Sequence, residues 1–324
     1  MGMSQQQSIA SQPTGGDKSA CSSQLRRYAM PCLALAAVST FAGFVVARHG
    51  TKWSASDALQ AAPVSEPVDS VNIDSAAFAR LEPQQQAERL LERAIQRDPD
   101  ALEKIGLKVD VWRGHLQNTD RLFDLVHTAL NSDDLRVRGA ALEIDLAANN
   151  LSKSSETVTG LVRQLRDEPD QRPWGLSRLG ALGNRGVEPK IVLAQLLTYA
   201  HDHNEQTRFW AVEGLAILGS DNVIDPLLDR FAHDPSPRVR QRAACNLAQD
   251  GMLSKEQRLA TVPHLLNFFD DDALDSTTRS WVYGALRVIT GQALGNDADA
   301  WRRWWATHDA RHKPYARRKG TLLA

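Results

Sequence analysis

"DPSPRVRQRAACNLAQDG", residues 234–251, sets three arginines, Arg238, Arg240 and Arg242, ahead of a run of small residues. Such a cluster can grip phosphates, or it can be one turn of a repeating scaffold. The spacing of its relatives decides. Aligned on Arg240, arginine recurs as Arg138, Arg172, Arg208 and Arg279, with intervals of 34, 36, 32 and 39 residues. A near-constant period of this size marks stacked helical hairpins.

The frame extends past the arginine. Three residues on stand Ala141, Gly175, Ala211 and Ala243, with Val282 departing; seven on stand Leu179, Leu215, Leu247 and Leu286, with Asp145 departing. Positions 3, 4 and 7 share one helical face, so an amphipathic helix B is expected in every unit. An acid precedes each arginine by four to six residues: Asp134, Glu168, Asp202, Asp234 and Asp275. A carboxylate there accepts from unpaired N–H groups at the helix start. Gly183, Gly219 and Gly251, eleven residues on, are placed to end helix B in a left-handed turn. A second amphipathic segment precedes each arginine, at 122–130, 158–165, 191–200, 223–231 and 260–269, and forms helix A. Pro226 and Pro263 fall near the first turns, where a missing N–H costs little.

The stretches 234–251, "NSDDLRVRGAALEIDLA" (131–147) and "VIDPLLDRF" (223–231) resemble HEAT repeats, of the shorter bacterial kind similar to those of phycobilisome-lyase relatives. The resemblance covers roughly 118–290. It implies an all-α fold, an α-α superhelix, and a ladder tying successive units together through Arg138, Arg172, Arg208, Arg240 and Arg279 with Asp134, Asp202, Asp234 and Asp275. Arg238 and Arg242 lie outside the frame and are expected to be solvated.

A solenoid exposes an apolar face at each end unless something covers it. "GNDADAWRRWWATH" (295–308) spaces Trp301, Trp304 and Trp305 on one helical face and suits a C-terminal cap. Residues 83–106 read as one or two helices that, with 109–116, cover the first unit or form a separate bundle.

Outside the array, "AMPCLALAAVSTFAGFVVA" (29–47) is nineteen residues without a charge, between Arg26–Arg27 and Arg48. As a helix it reaches about 28 Å, close to the hydrocarbon thickness of a bilayer. It reads as a transmembrane signal-anchor, with a cleaved signal peptide and a soluble apolar tail as alternatives. The weak excess of basic residues before it favours an exported, periplasmic-side body, or a secreted one if the segment is cleaved. The organisation expected is a polar N-terminus (1–25), the anchor (29–47), a linker (48–75), a helical N-terminal cap (76–117), five repeats (118–291), a Trp-rich capping helix (292–308) and a basic tail (309–324).

Net charge is −1, but the first 52 residues carry five basic groups against one acid and the last 24 carry seven against one, leaving −11 for residues 53–300. An acidic body repels polyphosphate, so nucleic acid is an unfavourable partner. Catalytic signals are thin. "HDH" (201–203) offers two histidines without a third ligand, and "DDDALD" (270–275) lacks the glycine and closing glutamate of a calcium loop. Cys245, beside Ala243 and Ala244, reads as a packing residue. No histidine is followed by glutamate, as the iron-binding HEAT-like hydroxylases require. No catalytic residue, cofactor or metal is therefore expected. The sequence favours a membrane-anchored, non-enzymatic scaffold that binds another protein along a concave surface lined by helices B. The alternatives are an enzyme or lyase accessory acting on a protein-bound small molecule, and a structural spacer of the envelope.

Overall fold

The computed structural model describes residues 75–309. Residues 1–74 and 310–324, with the polar N-terminus, the expected anchor, the linker and nearly all of the basic tail, lie outside the described residues. Among the described residues no helix is long and apolar enough to cross a membrane.

Everything described is helix, short 3₁₀ turn or connection. A short α1 (Ser75–Ala79) leads to a hairpin of α2 (Pro83–Ile95) and α3 (Pro99–Trp112). Five units follow, each an A helix then a B helix: α4 (Asp120–Leu130) with α5 (Leu135–Ala148), and α6 (Ser155–Asp167) with α7 (Arg172–Asn184). The third pairs α8 (Pro189–Tyr199) with α9 (Glu205–Leu218), and the fourth pairs α10 (Ile224–His233) with α11 (Pro237–Ala248). In the fifth, the A position is split into α12 (Lys255–Ala260) and α13 (Val262–Asn267) before α14 (Ser276–Thr290). A final helix, α15 (Ala298–Asp309), closes the described chain.

Local chemistry sets the boundaries. Thr119, Asp134, Ser154, Asn204, Ser236 and Asp275 are N-caps whose side chains accept backbone N–H groups of the first turn. Of the three glycines expected to end helices B, Gly219 alone does so in the left-handed region, at φ 65°. Gly183 sits inside α7 against Leu218 and Val192, and Gly251 follows α11 with Leu135 packed against it.

The α2–α3 hairpin stacks on the first unit, α2 against α4 and α3 against α5, and so covers that end of the array. Trp112 is buried there and its indole N–H reaches Gln86 Oε1 at 3.4 Å. At the other end Trp301 is fully buried, its Nε1 donating to the Gly295 carbonyl at 3.0 Å, while Trp304 and Trp305 pack half-buried against the core.

The backbones of α7 and α9 approach closely where they cross. A methyl on Gly180 would come within 2.5 Å of the Gly214 carbonyl oxygen, and one on Gly214 within 2.7 Å of the Leu176 carbonyl. Two glycines bring these backbones together, and nothing larger fits.

Two of the helices B, α5 and α9, are not the amphipathic surfaces the sequence leads one to expect, whereas α11 and α14 keep exposed residues on one side. Every residue of α5 from Val137 to Ala147 is buried, and so is every residue of α9 from Thr207 to Leu218 except Trp210. The strong apolar-to-polar division belongs instead to helices A such as α4, α6 and α10. α5 and α9 thus have protein on both sides.

Candidate functional site

The five framed arginines share one local role. Each guanidinium donates to a carbonyl six to eight residues earlier, at its own A–B turn: Arg138 to Ser132, Arg172 to Leu165, Arg208 to Asp202, Arg240 to Asp234 and Arg279 to Asp271, all at 2.7–2.9 Å. Three of them also reach the acid of the next unit. Arg208 holds Asp234 with two bonds of 2.9 and 3.1 Å, both groups almost wholly buried. Arg240 meets Asp275 at 2.7 Å, and Arg172 meets Asp202 at 3.4 Å. The partnership keeps the Arg208 guanidinium protonated above its usual range, hydrogen bonding to Asp234 outweighing burial.

Arg138, Asp134 and Arg279 depart from the ladder expected for them. Asp134 pairs with Arg136 at its own helix start, while neighbouring Asp133 takes Arg97 from the α2–α3 turn. Arg279 is more than a third exposed and reaches only the 271–272 loop. Arg138 turns inward.

There it enters the face of helices B that points away from helices A. Arg138 Nε donates to Glu213 Oε1 of α9 at 2.5 Å and Nη2 to Asn246 Oδ1 of α11 at 2.9 Å. Asn246 Nδ2 donates to Glu213 Oε2 at 3.2 Å, and Arg242 Nε lies 3.3 Å from that oxygen. Burial works to raise the Glu213 carboxyl, but the charges of Arg138 and Arg242, with the Asn246 amide, hold it below its ordinary value. Burial drives Arg242 down to about 10 although Glu213 opposes the shift. With its side chain only 11% exposed, Arg242 is not the solvated residue the sequence led one to expect. It lies 4.8 Å from the centre of the Phe209 ring, with the more exposed Arg238 also against that ring at 4.1 Å.

Further along α5, Asp145 receives two bonds from Arg178 of α7, at 2.6 and 3.0 Å. Glu143 takes Arg185 at 2.6 Å and lies 3.2 Å from Lys153. Leu135 packs on Gly251, and Gly139 lies so close to Met252 that a methyl there would overlap its side chain. Along this stretch, the face of α7, α9 and α11 is met by α5 of the protein's own first unit. The seam is imperfect: a cleft of about 230 Å³ runs along it, lined by Arg136, Gly139 and Glu143 of α5, Arg185, Ile217 and Met252 among others.

Sequence reasoning missed Glu213, Asn246, Arg178 and Asp145 as a set. One signal was available: Asp145 stands where the other units place leucine. The two histidines of 201–203 are exposed in the A–B turn of the third unit, and among the described residues no group of His, Cys, Asp and Glu is arranged to hold a metal. Within 270–275, Asp275 caps α14 and Asp270 pairs with Arg302 of the last helix. Cys245 is buried with Trp281 against it.

Stacked helical hairpins joined by arginine–aspartate rungs define an all-helical repeat array. The family model for HEAT repeats matches residues 178–248, from the middle of α7 to the end of α11, so this stretch of the array carries HEAT repeats. No curated protein matches it in sequence.

Proposed function

We propose that this protein is a non-enzymatic scaffold that holds another protein, with its repeat body tethered to a membrane through residues 29–47 and exported. The observation that carries the scaffold reading is the run of HEAT repeats itself, an architecture whose stacked hairpins suit protein–protein contact. The charge of −11 over residues 53–300 favours a partner with basic groups, drawn in by long-range attraction. The uncharged nineteen-residue stretch between arginines supports the tether.

Proximity labelling from the repeat body in its native cell tests the scaffold. A reproducible protein neighbour is expected; labelling no different from that of an unrelated exported protein overturns the reading. Alkaline carbonate extraction tests the tether. The full chain should stay in the pellet and a chain lacking residues 29–47 should not, and release of both overturns it. Mass spectrometry of the purified body under native conditions adds a check, since a stoichiometric pigment or metal would transfer support to an enzyme or accessory role.

A further inference from the structure

The inner face of α7, α9 and α11 is lined for a helix. It presents a buried carboxylate, Glu213, flanked by the Asn246 amide, with Arg178 to one side and small or apolar groups at Ala181, Ile217 and Met252. In this structure α5 lies along it. The residues of α5 that meet it read Arg138-Gly139-Ala140, then Glu143 and Asp145: one arginine, two small residues that allow close approach, and two acids.

Two features separate this contact from an ordinary core. It is stitched by ion pairs and amide bonds between units distant in sequence, Arg138 lying 75 residues from Glu213 and 108 from Asn246. Polar contacts of this kind resemble those between domains that move relative to each other. The seam also holds the cleft of about 230 Å³, whereas the α7–α9 crossing beside it is closed glycine against glycine. A cleft beside an ion-paired seam marks where a fold opens before it unfolds.

We propose that the inner face of the second to fourth units is a receptor for an α-helix presenting one arginine beside small residues, and that α5 is its built-in, displaceable occupant. The arginine enters between Glu213 and Asn246, and the small residues let the incoming helix settle against Met252. A protein partner that carries such a helix takes the place of the first unit, which leaves together with the α2–α3 hairpin stacked on it, so the protein holds its binding surface closed until that partner arrives. This rests on the scaffold reading and deepens it by naming the partner's chemistry.

Hydrogen exchange on the full chain tests the displaceable part. Arg185→Ala removes a half-exposed rung between α7 and Glu143 and leaves Lys153 to pair with that carboxylate. Peptides covering 120–148 should exchange through an opening that leaves 205–248 protected, and the variant should speed them about tenfold, as expected for one lost charged hydrogen bond. If 120–148 and 205–248 open together in both proteins, the proposal falls. A fluorescent peptide of residues 131–148 tests the receptor. It should bind a Glu143→Gln protein about tenfold tighter than the wild type, because that change loosens α5 and leaves Arg185 in the groove for the peptide's own Glu143, and an occupied groove lowers apparent affinity by its closed fraction. The same peptide with Arg138→Ala should bind neither. Equal binding of the two peptides, or none by either, overturns the arginine assignment. If Arg185→Ala forms a dimer in which α5 crosslinks to the neighbouring chain, the occupant is a second copy and the partner assignment fails. Hydrogen exchange reads the seam without any partner, so failed proximity labelling would remove the scaffold and leave this opening standing.

Discussion

Arg138 and Glu213 are 75 residues apart in the chain and 2.5 Å apart in space, and neither side chain is more than 1% exposed. Every other framed arginine serves its own turn or the next unit. This one reaches across two units, and it makes the first unit part of the inside of the others.

The two guanidiniums around Glu213 should therefore differ on removal. Arg138 also donates to the buried side-chain oxygens of Asn246 and Gln249, so Arg138→Met takes a donor from three buried acceptors, these two and Glu213. A loss of about 3–5 kcal/mol is expected. Arg242→Met leaves Glu213 paired with Arg138 and removes a charge that burial already disfavours, so the change should lie within about 1 kcal/mol. Urea denaturation of both variants checks this; equal losses would contradict it.

Acid should loosen the seam. Glu213 sits below its ordinary value of 4.5 in the folded protein, so the unfolded chain takes up the proton first as pH falls. Its contribution is complete above 4.5 and is lost as pH drops through the lowered folded value. Glu213→Gln should flatten that part of the stability profile below pH 4.5. Chemical denaturation across this range, with both profiles keeping the same slope, would refute the assignment.

Rungs of the same frame should not be equal. Arg208→Ala leaves Asp234 as a buried carboxylate without its bidentate partner and with Arg230 only at 3.6 Å, costing about 3–5 kcal/mol. Arg279, more than a third exposed and with its nearest carboxylate 3.9 Å away, should cost about 1 kcal/mol or less on change to alanine. Thermal melts of the pair provide the comparison, and the expected order is large for Arg208 and small for Arg279.

Gly180→Ala drives a methyl into the Gly214 backbone, which cannot rotate aside as a side chain would. About 1–3 kcal/mol should be lost to overpacking even though alanine is the better helix former. Gly160→Ala on α6 meets nothing within 4 Å and should stabilise by up to about 1 kcal/mol. Opposite signs in circular-dichroism melts are the expected outcome.

Much of this fold was legible because its logic is local and repeated. The period of the arginines, the acids before them and the apolar face at positions 3, 4 and 7 all act within one hairpin or between neighbours. The Arg208–Asp234 contact spans 26 residues and the Arg240–Asp275 contact 35, close to one period. The inner groove was not legible, because Arg138, Glu213 and Asn246 meet through the curvature of the whole array, and curvature has no signature in a single unit. Arg242 misled for the same reason: out of frame on its own helix, it is covered from elsewhere. Asp145 carried the one available hint. A carboxylate in a leucine position cannot face the apolar side of its own hairpin, so that helix must be turned toward something polar, and Arg178 is what it meets.

Repeat proteins commonly change length by gaining or losing a copy of the unit. Here the bond from Arg138 to Glu213 counts units: one inserted or deleted between them would carry the carboxylate a full step out of reach. In this fold that bond sets the number of hairpins between Arg138 and Glu213, as the teeth of a clasp fix the length of the chain it closes.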